Sequence, residues 1–315
     1  MAKKIFKTLD EQINILEGKG LSIPNKKFAE EVLLRENYFF LNGYRHPFLT
    51  SKGSKQYIPG TSFEELYSLF LFDRRIRNIL FKNILIIENN VKSIISYQLS
   101  KKYGYREKEY LNANNFNNIY ENRKQINDLI SKMKRQIKTN ATQHAATKHY
   151  IDNYGYIPLW VLVKVLSFGI VVELFSVLKK EDQYDIVDIY GLEIRNFQVY
   201  LSILSNYRNL CAHEDIVYEN RTQKFIDDCI YHRLLHIPMM NNEYIYGKND
   251  LFALLIILKS LLKDEEVNTL VIELKSAIDE LDFNLKTISI DKILDRMGFP
   301  KNWESIKDIN KKELF

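Results

Sequence analysis

Glycine and proline are scarce in this chain, with 11 and 6 among 315 residues. Glycine permits the backbone conformations that end a helix, and proline interrupts helical hydrogen bonding. Leucine, isoleucine, lysine, asparagine and glutamate instead recur in long stretches that contain neither residue. This composition predicts helices joined by short loops, and therefore an all-α fold.

Further absences narrow the class of protein. The two cysteines, Cys211 and Cys229, are too few for a disulfide framework and fit a reducing compartment. The opening "MAKKIFKTLDEQINIL" becomes polar at once and lacks the apolar run of an export signal. The longest apolar stretches, 159–178 and 251–258, are interrupted by charges or too short to span a bilayer. We therefore expect buried helices, a cytoplasmic location and no membrane partner.

The motifs of several enzyme classes are also missing. The chain has no glycine-rich phosphate loop, no nucleophile elbow and no paired-carboxylate metal motif. This disfavours a kinase, a hydrolase of the elbow type and a metal-dependent nuclease. We expect neither a cofactor nor a metal.

The helical pattern divides the chain into three predicted parts. Residues 1–60 form an N-terminal helical segment and a loop, and 61–222 form a core that begins with a capped helix from Thr61 or Ser62 to Gly104. A basic insertion at about 105–157 interrupts the core, and 223–315 form a C-terminal helical extension. The other predicted helices are 8–17, 25–42, 123–138, 159–180, 194–217, 223–236 and 250–286, and 139–158 is expected to be a mobile polar connector.

The stretch "RKQINDLISKMKRQIK" at 123–138 is the most clearly amphipathic segment. Its apolar side chains fall within an arc of roughly 100° on an ideal helix, and its basic side chains occupy the opposite side. The net charge of +5 is compatible with a nucleic-acid partner but does not require one. A solvated helix face and a phosphate-contacting face both remain open for the basic residues Arg123, Lys124, Lys132, Lys134, Arg135 and Lys138.

The segment "NYRNLCAHED" at 206–215 places unusual polar residues on a helix with an apolar side. Arg208 falls at the edge of the apolar arc, where a guanidinium is costly unless it is paired. Asn209 and His213 are spaced i,i+4, so the amide is positioned to hydrogen-bond the imidazole. Arg208 and His213 lie about 140° apart on a straight helix. Convergence on one substrate therefore requires local unwinding near His213 or a second copy of the chain.

"RNLCAH" resembles the Arg-x4-6-His signature of the HEPN superfamily of RNA-cleaving helical domains. "NYFFLNGYRHPF" (37–48), the stretch 63–95, the stretch 157–178 and "RNLCAHEDIVYENR" (208–221) resemble, in order, blocks of the bacterial abortive-infection Abi-like family of the D/F type. The resemblance covers about residues 5–240. It implies a HEPN-type helical bundle with N-terminal and C-terminal extensions.

The resemblance also implies an antiphage or toxin-like endoribonuclease that acts without a metal as a homodimer. In that interpretation Arg208 stabilises charge on the phosphate, His213 is the general acid or base, and Asn209 orients His213. Asp73, Arg77, Glu88 and Arg221 are expected supporting residues. A regulatory small RNA or an antitoxin is an expected partner beside the RNA substrate. One departure is the acidic pair Glu214 and Asp215, which repels phosphate where the family usually has an aromatic and basic stretch.

Elementary chemistry fits these roles. Histidine exchanges protons near neutral pH, and arginine offers a forked donor array for phosphate oxygens. RNA supplies its own nucleophile in the ribose 2′-OH, so no metal-activated water is required, and DNA should resist. The alternatives are a structural Arg208 paired with Asp73 or Glu88, a non-catalytic RNA-binding module and a protein-binding adaptor. Cys229, His232 and His236 share a helical face, although a zinc site there lacks a supporting ligand.

Overall fold

The computed structural model describes residues 5–310 and is mostly helical, which confirms the all-α prediction. The one small sheet in this part of the chain pairs β1 (Met239–Met240) with β2 (Glu243–Tyr244) in antiparallel register. The helices are α1 (Leu9–Glu17), α2 (Lys26–Glu36), α3 (Tyr38–Gly43), α4 (Phe63–Tyr103), α5 (Glu107–Tyr110), α6 (Arg123–Asn140), α7 (Ala145–Tyr154), α8 (Leu159–Val165), α9 (Phe168–Val177), α10 (Lys180–Val187), α11 (Ile194–Ala212), α12 (Ile230–Leu234), α13 (Leu251–Leu261), α14 (Asp264–Asn284) and α15 (Ile290–Met297).

Helix α4 is the axis of the fold. It contains 41 residues, which at about 1.5 Å per residue gives a length of roughly 60 Å. The predicted start is confirmed, because the Ser62 hydroxyl accepts from the Glu65 N–H while the Glu65 carboxylate accepts from the Ser62 N–H. Helices α8, α11 and α14 pack along α4, and the buried apolar side chains from the N-terminal, central and C-terminal parts form one continuous core. Within residues 5–310, none of the helices has both the length and the apolar character needed to cross a bilayer.

Three predicted helices are broken in two, so their predicted extents were wrong. The prediction 25–42 is interrupted at Asn37, which has a φ of 68° and caps α3 by accepting from the Phe39 N–H. The prediction 159–180 breaks at Ser167, whose hydroxyl caps α9. The prediction 250–286 breaks at Leu262, where the backbone becomes extended. In each case the apolar spacing continues across the break, so periodicity alone hides it.

The connector predicted at 139–158 was also wrong, because it contains α7. This helix begins after the cap residue His144 and ends at Gly155, whose φ of 73° is the left-handed conformation that favours glycine. Its buried residue Thr147 and its partly buried Ile151 face the core. The prediction 194–217 ends early, at Ala212, and 223–236 is helical only over Ile230–Leu234. The short helices α5, α10 and α15 were not predicted.

Candidate functional site

The end of α11 presents the "RNLCAH" residues at the protein surface. Arg208 is partly buried, with 33% of its side chain exposed, whereas Asn209 and His213 are exposed. The helix ends at Ala212, and the His213 N–H donates to the Asn209 carbonyl at 3.0 Å. Glu214 then adopts a φ of 57° and turns the chain away. The helical hydrogen bonding of α11 therefore ends with the His213 N–H, and the chain changes direction at Glu214.

Glu88 and Phe81 on α4 hold the guanidinium of Arg208. Its Nε lies 3.6 Å from Glu88 Oε2, and its central carbon lies 5.7 Å from the centre of the Phe81 ring. Both Nε and Oε2 are buried and lack a hydrogen-bond partner within the described residues. The other Glu88 oxygen pairs with the buried Lys92 at 2.6 Å. Within the described residues, the two terminal nitrogens of Arg208 form no hydrogen bond. They are also absent from the set of buried polar atoms that lack a partner, so they are available to a ligand.

A second polar cluster lies closer to the N-terminus of α4 and fixes the segment that follows His213. The buried Asp73 carboxylate pairs with Arg77 at 2.5 Å and accepts from the Tyr44 hydroxyl at 2.8 Å. It also accepts from the backbone N–H groups of Val217 and Tyr218, at 3.2 and 2.8 Å. Arg77 donates in turn to the Asp215 carbonyl at 3.2 Å. Burial raises the pKa of Asp73 to about 6, although Arg77, Tyr44 and the backbone donors act in the opposite direction.

Three stretches that are distant in the sequence therefore meet beside His213. A Cβ at Gly43 would lie 2.8 Å from the Ile216 side chain, so glycine allows the end of α3 to approach the segment that follows His213. The rings of Tyr44 and Tyr218 stack with centroids 6.1 Å apart. Sequence reasoning missed Tyr44 and Phe81 as site residues. Tyr44 lies inside the stretch 37–48, and the resemblance of that stretch to a family block was the signal available for it.

A cavity of about 400 Å³ opens next to these residues. It is lined by residues of α2, α3 and the first turns of α4, and by Glu214, Asp215 and Ile216, which follow His213. Arg74 lines it and donates to both carboxylate oxygens of Glu36, at 2.9 and 2.6 Å, while Glu214 lies 3.9 Å from the same guanidinium. Glu214, the first residue of the acidic pair after His213, thus faces an arginine whose charge Glu36 already balances.

The structure does not join all predicted site residues. No side-chain hydrogen bond links Asn209 to His213 in residues 5–310, so the predicted amide–imidazole contact is absent there and only the backbone bond connects them. Arg221 is exposed and donates to the neighbouring Asn220 carbonyl. On α6, Lys132 pairs with Glu173 at 2.7 Å, whereas the exposed Arg123, Lys124, Lys134, Arg135 and Lys138 form no ion pair with the described residues.

The thiols and the remaining histidine candidates have other surroundings. Burial raises the pKa of Cys211, which precedes His213 by two residues, to about 12, so this thiol stays neutral and is a poor nucleophile. His232 is buried, with Nδ1 3.1 Å from Cys229 Sγ and Nε2 2.9 Å from the Gly247 carbonyl. Both of its ring nitrogens are therefore engaged.

The geometry is that of an all-helical protein with a polar site at the end of one helix, built against a long central helix. The chain matches the family described as Abi-like protein over residues 31–219, which is well over half of its length. The chain therefore belongs to the Abi-like family, and this membership suggests a function of the abortive-infection type. The chain matches no curated protein and no solved structure.

Proposed function

We propose that this chain is a metal-independent endoribonuclease of the HEPN type that acts in abortive-infection defence. The observation that carries the proposal is the arrangement of Arg208 and His213 at the end of α11. The Nε of Arg208 lies 3.6 Å from the Glu88 carboxylate, its terminal nitrogens form no hydrogen bond with the described residues, and His213 is exposed just over one turn later. An open fork of donors suits phosphate oxygens, and an exposed imidazole suits proton transfer at neutral pH.

The proposed reaction is attack of a ribose 2′-OH on the adjacent phosphate. His213 takes the proton from the 2′-OH as the new oxygen–phosphorus bond forms. The bond from phosphorus to the 5′ oxygen breaks, and that oxygen receives a proton from a second, protonated imidazole. The products are a 2′,3′-cyclic phosphate and a free 5′-OH. Arg208 binds the phosphate oxygens, whose negative charge grows in the transition state.

Two imidazoles are needed for simultaneous acid and base roles, and each chain offers one at this position. A homodimer with the ends of two α11 helices facing each other supplies the second histidine and a second arginine. Asn209 is exposed beside His213, where it is available to a substrate or to the other copy. The proposal includes control of this activity in cells by a small RNA or an antitoxin, since an unregulated ribonuclease is toxic.

Cleavage of an end-labelled single-stranded RNA in excess EDTA tests the proposal. Wild-type protein should cut the RNA, and both Arg208→Ala and His213→Ala should reduce the rate by about 100-fold or more, since a well-placed acid or base contributes roughly 10²–10⁴. Circular dichroism melting of each variant shows that the fold persists. Arg195→Ala is a matched control, because Arg195 is an exposed arginine at the opposite end of the same helix.

The same assay distinguishes the rival function. RNA that binds but stays intact under all conditions would contradict the enzyme and support a non-catalytic RNA-binding module. A chain with no salt-dependent affinity for RNA would contradict both and leave an adaptor that binds protein.

A further inference from the structure

Aromatic side chains form a continuous strip on the surface beyond the C-terminal end of α4. The strip consists of Tyr150, Tyr154, Tyr156, Tyr105 and Trp160. In that order, the centroids of successive rings lie 5.3, 6.3, 5.6 and 5.9 Å apart. It extends into α7, which the sequence analysis had predicted to be a mobile connector.

The strip differs from the aromatic contacts of the core because its rings reach solvent. Tyr154 is 57% exposed, Trp160 44% and Tyr105 39%, whereas core pairs such as Phe175 and Phe197 are fully buried. Tyr150 and Tyr156 are partly buried, and Tyr150 also packs against the core, so every ring of the strip is at least partly accessible. Contiguous exposed rings of this kind mark a binding surface.

The surroundings of the strip carry positive charge. The guanidinium carbon of Arg106 lies 5.8 Å from the Tyr105 ring and 5.4 Å from the Tyr156 ring. Lys108 and Lys148 are exposed, and the basic helix α6 packs against α7 and α8.

The nearby acids are mostly engaged or turned away. Glu107 accepts from the Ile157 N–H, and Glu109 accepts from the Arg106 N–H. Asp152 is two residues from Tyr150 on α7, about 200° around the helix, and therefore on its other side. The strip thus combines apolar ring faces with a basic edge, which is the composition that binds bases and phosphates together.

We propose that the aromatic strip binds unpaired bases of single-stranded RNA, while Arg106 and the basic face of α6 contact its phosphates. This inference rests on the proposed function in taking RNA as the ligand, and it deepens that function by assigning the place where the strand is held. Stacking tolerates any base because every base has a π-face, so the strip would bind without strong sequence preference. A duplex has its base faces covered and would not fit.

Helix α8 connects the strip to the site. Trp160 lies in its first turn, and Lys164, one turn later, donates to Asn89 on α4 at 3.1 Å. Asn89 follows Glu88, whose carboxylate faces Arg208. Helix α8 therefore contacts the aromatic strip through Trp160 and the stretch of α4 next to Glu88 through Lys164.

Tryptophan fluorescence reports directly on the strip. Of the two tryptophans, Trp160 is in the strip and Trp303 is buried, at 3% exposed. The probe is an unstructured 2′-O-methyl oligonucleotide, which cannot be cleaved by 2′-OH attack. Its binding should quench Trp160, and Trp160→Phe, which removes this fluorophore, should abolish the quenching, while anisotropy of a labelled probe measures the affinity separately.

The decisive variants are Tyr154→Ala and Tyr156→Ala, each of which should weaken binding by about tenfold, since base–aromatic stacking contributes roughly that much per ring. Tyr154→Phe keeps the ring and should bind as wild type does. Phe283→Ala is the matched control, because Phe283 is 78% exposed with a lysine 5.3 Å from its ring, but it lies near the opposite end of α4. Circular dichroism verifies that each variant is folded.

Three results would overturn the inference: equal affinity for an abasic oligonucleotide of the same charge, equal affinity of the folded tyrosine variants, or no binding of any oligonucleotide, which would leave the strip as a protein-binding surface. The outcome is separable from that of the proposed function. Quenching by the probe without cleavage of ordinary RNA would reject the enzyme and keep the strip. Cleavage of RNA with unchanged affinity in Tyr154→Ala and Tyr156→Ala would reject the strip alone.

Discussion

Helix α4 carries two acid–base pairs with the same i,i+4 spacing and very different surroundings. Asp73 and Arg77 are almost fully buried, and four donors satisfy the Asp73 carboxylate: Arg77, the Tyr44 hydroxyl and two backbone N–H groups. Glu88 and Lys92 are also buried, but one Glu88 oxygen accepts no hydrogen bond from residues 5–310 and lies 3.6 Å from Arg208. The carboxylate of the first pair has all its hydrogen bonds, whereas that of the second pair has one oxygen without a hydrogen bond from the described residues.

The difference indicates which pair is structural and which serves the site. Buried polar groups are normally hydrogen-bonded, so an unsatisfied carboxylate oxygen beside a signature arginine requires an explanation. We interpret Glu88 as a positioning residue that holds Arg208 through charge without occupying its terminal donors. Asp73 instead holds the backbone after His213 in place by accepting from the Val217 and Tyr218 N–H groups. Its effect on the site is therefore indirect, through the position of that segment.

The largest expected effect comes from breaking the pair of Asp73 and Arg77. Asp73→Ala leaves Arg77 buried without a counter-charge and removes the acceptor for the Val217 and Tyr218 N–H groups. The free energy of unfolding should fall by about 3–5 kcal/mol, as for other buried pairs that lose one partner. Urea denaturation measures it, with Asp227→Ala, an exposed aspartate, as the control. A loss below about 1 kcal/mol would contradict the structural role.

Glu88→Gln tests the pair of Glu88 and Lys92. The amide keeps the shape but removes the charge that holds Arg208, so RNA cleavage should slow by about 10- to 100-fold, as small misplacements of catalytic groups do. The change also removes the counter-charge of the buried Lys92, but the amide oxygen can still accept from that ammonium, so the loss of stability should be smaller than in Asp73→Ala. Cleavage rate and urea midpoint are measured on the same preparation. Unchanged cleavage by this folded variant would show that Glu88 does not position Arg208.

The comparison extends to the exposed charges of α6 that form no ion pair within the described part of the chain. Removing Lys134, Arg135 and Lys138 together should weaken RNA binding by about tenfold at 0.1 M salt and flatten the salt dependence by roughly two phosphate contacts. The melting temperature should stay nearly unchanged because these side chains are exposed. Lys52, Lys55 and Lys301, also exposed, form the matched charge control. A large drop in melting temperature would show that the α6 charges are structural. Lys132→Ala should lower it only slightly, because its contact with Glu173 is a partly exposed ion pair.

The smallest effect concerns His232, which is buried with both nitrogens engaged. Burial lowers the pKa of His232, so the folded state binds this proton less readily than the unfolded state. The folded state therefore loses stability as the pH falls below about 6.5, by at most about 1.4 kcal/mol per pH unit. His232→Gln has no titrating ring, so the slope of stability between pH 7 and pH 5 should become shallower. An identical slope in both proteins would contradict the effect.

Much of the fold was predictable from local signals. The cap at Ser62 and Glu65, the amphipathic α6 and the long apolar spacing of α4 are all confirmed. The breaks at Asn37, Ser167 and Leu262 were missed because apolar periodicity runs through them. For the site, the sequence predicted the residues Arg208 and His213 through a resemblance. It did not predict that Glu88 rather than Asp73 faces Arg208, because that choice depends on how α11 packs against α4.

The most direct test of the central claim uses two RNAs that are identical except for one 2′-deoxy sugar at the preferred cleavage position. We predict that wild-type protein in EDTA cuts the all-ribose RNA and leaves a 2′,3′-cyclic phosphate and a 5′-OH, while the 2′-deoxy bond stays intact. Mass spectrometry of the products identifies both ends. Cleavage at the 2′-deoxy position, or products with a 5′-phosphate, would contradict attack by the ribose hydroxyl and with it the roles given to Arg208 and His213.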